Sequence, residues 1–200
     1  MVTAANGLIL FVALLAVPVI WGVVKFNEFV ALRNRFQNAF SQIDVQLKRR
    51  HDLIPNLVSA VRGYMTHERE TLEAVTNARR RAVDAQEIAL RAPADIGALA
   101  AFEAAERALN GELGRMYALA EDYPKLRADE SVSRLMEEIG STENRIAFAR
   151  QAFNDQVTSY NTGIESFPAS LVAQLCGFRP AMRLQATRTR REREAIVVSL

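Results

Sequence analysis

Few side chains in this sequence could do chemistry, and none stands in a catalytic spacing. There are two histidines, His51 and His67. Neither belongs to an H-E-x-x-H pair, and the di-iron bundle pattern needs Glu-x-x-His twice, which is absent. The single cysteine, Cys176, excludes a disulfide framework and a cysteine zinc site. It ends the apolar run from Leu171 and reads as a small core residue rather than a nucleophile. Gly63, Gly97, Gly111, Gly114 and Gly140 are isolated, so no phosphate-cradling loop is formed. Ser and Cys hydrolase motifs are missing as well. No metal and no cofactor is expected.

Two polar constellations remain. The first holds Asp44, Lys48, Arg49, Arg50, His51 and Asp52. Asp44 and Lys48 are four apart, acid before base, which favours a helical pair. Arg50 falls in phase with an apolar seam, where a charge has to be paired. The second holds Thr142, Glu143, Asn144 and Arg145, with Thr142 in phase with its own seam. The plain reading is a pair of solvated faces with ordinary salt bridges. The functional one is a polar seam that fixes helix register or presents a docking surface. A catalytic use of His51, Asp44 or Glu143 is the competing chemistry, and it requires a pocket.

The elements that position these residues read as helices almost without pause. Phe29, Leu32, Phe36, Phe40, Ile43 and Leu47 recur at spacings of three and four, one helix face and not strand alternation. The stripe resumes at Ile54, Leu57, Val58, Val61, Met65, Leu72 and Val75. Pro55 interrupts it, and Asp52 is a candidate N-cap with Pro55 in the first turn. A helix from Asn27 to Arg91 would be about 97 Å long, so a fold-back near Pro55 is favoured over a kink. Ala92-Pro93-Ala94-Asp95 stops one helix and caps another. The next carries Ile96, Leu99, Phe102, Leu109, Leu113, Met116 and Leu119, ending at Tyr123-Pro124. A last long helix carries Leu135, Ile139, Ile146, Phe153, Val157, Tyr160, Ile164 and Phe167, and Pro168 closes it. With nine Gly and six Pro in 200 residues, a loop-rich β fold is excluded. Half the residues are hydrophobic and 24% are charged, which excludes an intrinsically disordered chain. The fold class is all-α, a bundle of about four helices on a membrane stalk.

The stalk is the amino-terminal segment. Met1 to Val24 holds no charged side chain, and Gly7 to Val24 spans about 27 Å as a helix, close to a bilayer core. Trp21 sits near its end, where aromatic rings favour the headgroups. A cleaved signal peptide needs a basic start and a small-residue cleavage site, and MVTAAN followed by the run into Lys25 supplies neither. A retained transmembrane helix over 7–25 is expected, with a short extracytoplasmic end at 1–6. Lys25, Arg33, Arg35, Lys48, Arg49 and Arg50 follow it, and the positive-inside rule puts the bundle in the cytoplasm.

Arg179 to Leu200 contain six Arg and two Glu. This tail reads as a solvated, disordered end. Its functional alternative is contact of Arg188, Arg190, Arg191 and Arg193 with anionic lipid. No aromatic residue interleaves the arginines, so nucleic acid is not expected as a partner.

The stretches Phe26 to Arg35 and Asn38 to Val58 resemble the LemA family. The likeness continues at Gly63-Tyr64, His67-Glu68, Tyr123-Pro124, Thr142 to Ala147, Tyr160-Asn161-Thr162, Phe167-Pro168 and Gly177-Phe178. It implies a bacterial inner-membrane, single-pass protein with a cytoplasmic antiparallel four-helix bundle over 26–178. It favours the fold-back near Pro55 and implies no catalytic residue or cofactor. Members of the family are linked to cell-envelope functions and membrane-protein partners. The family's usual short acidic-aromatic terminus is here replaced by the Arg-rich segment. The expected function is a non-enzymatic interaction or scaffold module, in contact with membrane lipid and a membrane-protein partner. A membrane-proximal hydrolase and a self-assembling homo-oligomer are the alternatives.

Overall fold

The computed structural model of the chain describes residues 2–185. It is all-helical, with no strand among the described residues. Four long helices, α1 (Val2–Arg62), α2 (Arg69–Arg91), α3 (Ile96–Ala120) and α5 (Glu130–Glu165), are joined by two short ones, α4 (Pro124–Arg127) and α6 (Ala169–Leu175). Asp95 caps α3 by accepting from the Ala98 N–H at 2.6 Å. Asp129 caps α5 through the N–H groups of Ser131 and Val132. Both caps supply acceptors for amides that a helix start leaves unpaired.

α1 is the axis of the molecule. Its 61 residues span about 90 Å. Near its start Leu14, Val17, Val19, Ile20, Val23 and Val24 are each more than half exposed. Trp21 and Gly22 border the bundle, and the remaining apolar side chains are uncovered, a face for which lipid is a compatible surrounding; α1 is long and apolar enough to cross a membrane. From Phe29 onward the same helix buries one stripe, through Phe36, Phe40, Ile43 and Leu47 to Ile54, Leu57 and Val61.

Contrary to the expected fold-back, α1 runs through Pro55 and ends at Arg62, so Asp52 caps nothing. Two observations explain this. The buried stripe stays in phase on both sides of the proline, and Pro55 itself lies on the exposed face. Pro55 has no N–H for the carbonyl of His51, and the Arg79 Nε–H of α2 donates to that oxygen instead, at 2.5 Å. The chain reverses only at Gly63–Glu68, where Tyr64 and Met65 N–H groups both donate to the Val61 carbonyl.

Packing pairs rise along α1 as they fall along α5. Leu32 approaches Gly163, Phe36 meets Tyr160 and Phe153, Phe40 meets Phe153 and Arg50 meets Glu143. The same reversal relates α1 to α2, since Asp44 meets Gln86 and His51 meets Arg79. Phe40, Phe102 and Phe153 meet edge to face at centroid separations of 5.6 and 6.0 Å, a geometry that adds to their burial. Two core clusters result. One surrounds these rings near the apolar end of α1. The other surrounds Ile54, Leu57, Val75, Leu109 and Met116 at the far end.

Three residues expected in the core end elsewhere. Ile96, Phe167 and Cys176 are exposed rather than in the core. The segment expected to begin a solvated tail behaves differently up to Gln185. Ala181 and Leu184 are buried, and two asparagines on α5 hold the strand-like stretch by both main-chain groups. Asn161 accepts from the Ala181 N–H at 2.8 Å and donates to its carbonyl at 2.9 Å. Asn154 does the same for Leu184, at 2.8 Å each way. Seven helical residues rise about 10.5 Å and three extended ones about 10 Å, so the two clamps match in spacing. Arg188, Arg190, Arg191 and Arg193 lie outside the described residues.

Candidate functional site

A layer of buried polar side chains separates the two apolar clusters. Arg50, His51, Glu106 and Thr142 are each at most 2% exposed, and Glu103 and Arg150 at most 5%. α1 supplies Arg50 and His51, α3 supplies Glu103, Glu106 and Asn110, and α5 supplies Thr142, Glu143 and Arg150. The Arg50 guanidinium donates to Glu106, Glu143 and, at 3.0 Å, to the Asn110 side-chain oxygen. His51 Nε2 lies 3.1 Å from the other Glu106 oxygen. One carboxylate thus joins two adjacent side chains of α1 to α3, and one guanidinium joins α1 to both α3 and α5.

The electrostatics follow from this geometry. Burial alone would raise the Glu106 carboxyl. The hydrogen bond with His51 and the charges of Arg50, His51 and Arg150 outweigh it and hold Glu106 below its ordinary value. Burial pulls the Arg150 guanidinium down, opposed by Glu106, Glu143 and Glu103. Tyr117 borders the layer with its hydroxyl unpaired. Burial, with Arg50 opposing and Glu143 adding, pushes it up to about 12.

The ten residues of the expected polar seam divide into two groups. Arg50, His51 and Thr142 are internal, and Glu143 and Asp44 bridge inward. Asp44 accepts from Gln86 of α2 at 2.7 Å, where a pair with Lys48 was expected. The Thr142 hydroxyl donates to its own helix, at the Ile139 carbonyl, 2.7 Å away. Lys48, Arg49, Asp52, Asn144 and Arg145 face outward. Of these Arg49 reaches across to Glu138 of α5 at 2.7 Å.

Sequence reasoning missed Glu103, Glu106, Asn110 and Arg150. It also missed Phe148, which is 73% exposed on α5 beside Asn144 and Arg145 and gives that surface an aromatic element. The signal for the buried members was present as gaps of seven in the apolar stripes. Leu47 to Ile54, Phe102 to Leu109, Ile139 to Ile146 and Ile146 to Phe153 each skip one inward position. Those positions hold Arg50, Glu106, Thr142 and Arg150.

Within the layer Arg50 pairs with Glu106 and Glu143 and His51 pairs with Glu106, while Arg50 Nε, His51 Nδ1 and Arg150 Nε are buried without a partner. A cavity of about 650 Å³ opens elsewhere, between the end of α1 and the start of α2, lined by Arg62, Met65, Arg69, Leu72, Glu73 and Thr76 among others. No cluster of three or more His, Cys, Asp or Glu with metal-binding geometry occurs among the described residues.

The LemA family model matches residues 39–199 of the chain. That match extends over the arginine-rich end, which the sequence reading had set apart from the family. Magnetosome protein MamQ of Magnetospirillum gryphiswaldense is 27% identical over 171 residues, 78% of this chain and 63% of that protein. Magnetosome protein MamQ 2 of Paramagnetospirillum magneticum is 25% identical over 200 residues, 92% of this chain and 71% of its own length. Protein LemA of Metamycoplasma hominis is 28% identical over 148 residues, 74% of this chain and 63% of that protein. The chain therefore spans less than two thirds of the first and third of these relatives.

Proposed function

This chain belongs to the LemA family, and on that premise we propose that it is a single-pass protein of the bacterial inner membrane that works as a non-enzymatic scaffold in cell-envelope processes. Its long helices form an antiparallel four-helix bundle on the cytoplasmic side. The bundle docks a membrane-protein partner through the outward half of the polar seam, while the inward half fixes helix register.

One observation carries this reading. A single helix, α1, passes without a break from a stretch whose apolar side chains are mostly uncovered to one whose stripe is buried in the core. Lys25, Arg33, Arg35 and the cluster Lys48, Arg49 and Arg50 lie on the bundle side of the apolar stretch, which supports the cytoplasmic orientation. Holding a domain against one leaflet raises its effective concentration towards other membrane proteins. The non-enzymatic reading is supported by the partners of the three candidate catalytic groups. Asp44 is bonded to Gln86, His51 to Glu106 and Glu143 to Arg50, so each is engaged within the fold. The exposed group of Asn144, Arg145 and Phe148 supports a docking surface.

Alkaline extraction of membranes combined with a topology reporter fused after Leu200 tests this. The expected result is retention in the membrane pellet with the reporter active in the cytoplasm. Full release into the soluble fraction, or a reporter active only in the periplasm, overturns the proposal.

A further inference from the structure

We infer that α6 is a second lipid contact, a short interfacial foot beside the anchor, whose exposed Leu171 and Leu175, with Phe167 in the turn just before it, enter the headgroup–acyl boundary of the membrane that α1 crosses. This rests on the reading of α1 as a membrane span.

The height of α6 along α1 carries the argument. A Cβ on Gly22 would lie 4.0 Å from Val172 Cγ2, so α6 packs beside the uncharged run and not beside the basic flank that follows. Gly22 is three residues before Lys25, about 4.5 Å along the helix. An interfacial helix buries its apolar face by roughly 5–10 Å, which agrees in depth. Ring packing fixes this height, because Phe178 meets Phe26 and Phe29 edge to face at 5.5 and 5.3 Å. The Arg33 guanidinium lies 5.6 Å from the Phe178 ring centroid.

The two faces of the foot are chemically suited to this place. Ala169 and Ala173 are buried on the bundle. Phe167, Leu171 and Leu175, spaced four apart, are 83%, 54% and 88% exposed. From Ser166 to Phe178 no side chain is charged, and Arg179 follows at once, exposed and placed to meet phosphate groups. Other uncovered apolar side chains lie too deep in the bundle to reach the same lipid. Ile96 opens α3 six residues before Phe102, which packs on Phe40, and so is level with Asn34 of α1, about 15 Å beyond the apolar run at 1.5 Å per residue.

The test uses the full chain with Cys176→Ala, which removes the native thiol from an exposed site. Single cysteines replacing Leu171, Leu175, Ile96 or Leu15 are labelled with a fluorophore, and the protein is reconstituted into phosphatidylcholine–phosphatidylglycerol vesicles. Brominated acyl chains are expected to quench emission at 171, 175 and 15 and to leave 96 unchanged. Quenching at 15 without quenching at 171 and 175 overturns the foot and leaves the anchor standing. Equal quenching at 96 overturns it too, because the bundle would then lie along the surface. No quenching at 15 removes the anchor, and the foot falls with it.

Discussion

The Arg79 guanidinium of α2 donates to the main-chain carbonyl of His51, the acceptor that Pro55 deprives of its own helical donor. A side chain 24 positions after the proline thereby allows α1 to pass through it. Arg79→Met is expected to cost about 1–3 kcal/mol, the usual cost of leaving a buried group unpaired. In a Pro55→Ala background, where residue 55 supplies an N–H, the same substitution should cost less than half as much. Urea unfolding of the four proteins of this cycle in detergent, followed by circular dichroism, measures the coupling.

The Arg50 layer makes a second prediction. Removing one partner of a buried pair typically costs about 3–5 kcal/mol, while replacing the whole set with apolar residues is often neutral. Glu106→Leu alone should therefore destabilise strongly. Arg50→Met combined with Glu106→Leu should recover much of the loss, read as the thermal midpoint in the same detergent. Because Glu106 is held below its ordinary 4.5 in the folded protein, the unfolded chain binds its proton first as acid is added. Its contribution is present above about 4.5 and is lost as pH falls through the lower folded value. Glu106→Gln should flatten that acid limb.

Tyr117 gives the opposite limb. Its folded value is raised from 10.0 to about 12, so the folded state keeps the proton longer and stability falls as pH rises from about 10 towards 12. Its hydroxyl has no partner, so Tyr117→Phe should be neutral or slightly stabilising near pH 7 and should reduce the alkaline loss, to which the raised Tyr160 also contributes. Unfolding curves at pH 7 and above pH 10 check both parts.

The asparagine clamps make a third site accessible to test. Asn154→Ala with Asn161→Ala removes four hydrogen bonds to the stretch that carries Arg183. Faster tryptic cleavage after Arg183 is expected, with the helix content unchanged. Cleavage at the rate of the unaltered protein would show that the burial of Ala181 and Leu184, with the bonds of Tyr160, Arg150 and Glu103 to Arg179 and Gln185, suffices to hold the stretch.

Much of this architecture is legible in the sequence because it depends on local periodicity. The stripes from Phe29 and Ile146, and the breaks at Pro93 and Pro124, require only spacing and the known behaviour of proline. Pro55 is misleading for the converse reason, since its compensating donor lies on another helix. Phe167 and Cys176 look like core residues because hydropathy does not distinguish a face that is covered from one that is not. Ala181 and Leu184 are hidden among arginines, and only the asparagines of α5 show that a groove is waiting for them. Half of the polar layer is visible in the motifs around Arg50 and Thr142. The other half is a set of missing teeth in otherwise regular stripes, which become informative only when compared across helices.

The uninterrupted course of α1 also sets a distance. From Lys25 to Arg62 the helix climbs about 55 Å, so with the apolar stretch spanning a bilayer, as proposed, the turn that carries Tyr64, which donates to Asp129 at 2.8 Å, stands well clear of the phosphate plane. Whatever engages that summit must be tall itself, whereas a neighbour confined to the bilayer can meet only the base. The span of one rod therefore sorts companions by stature before any surface chemistry is consulted.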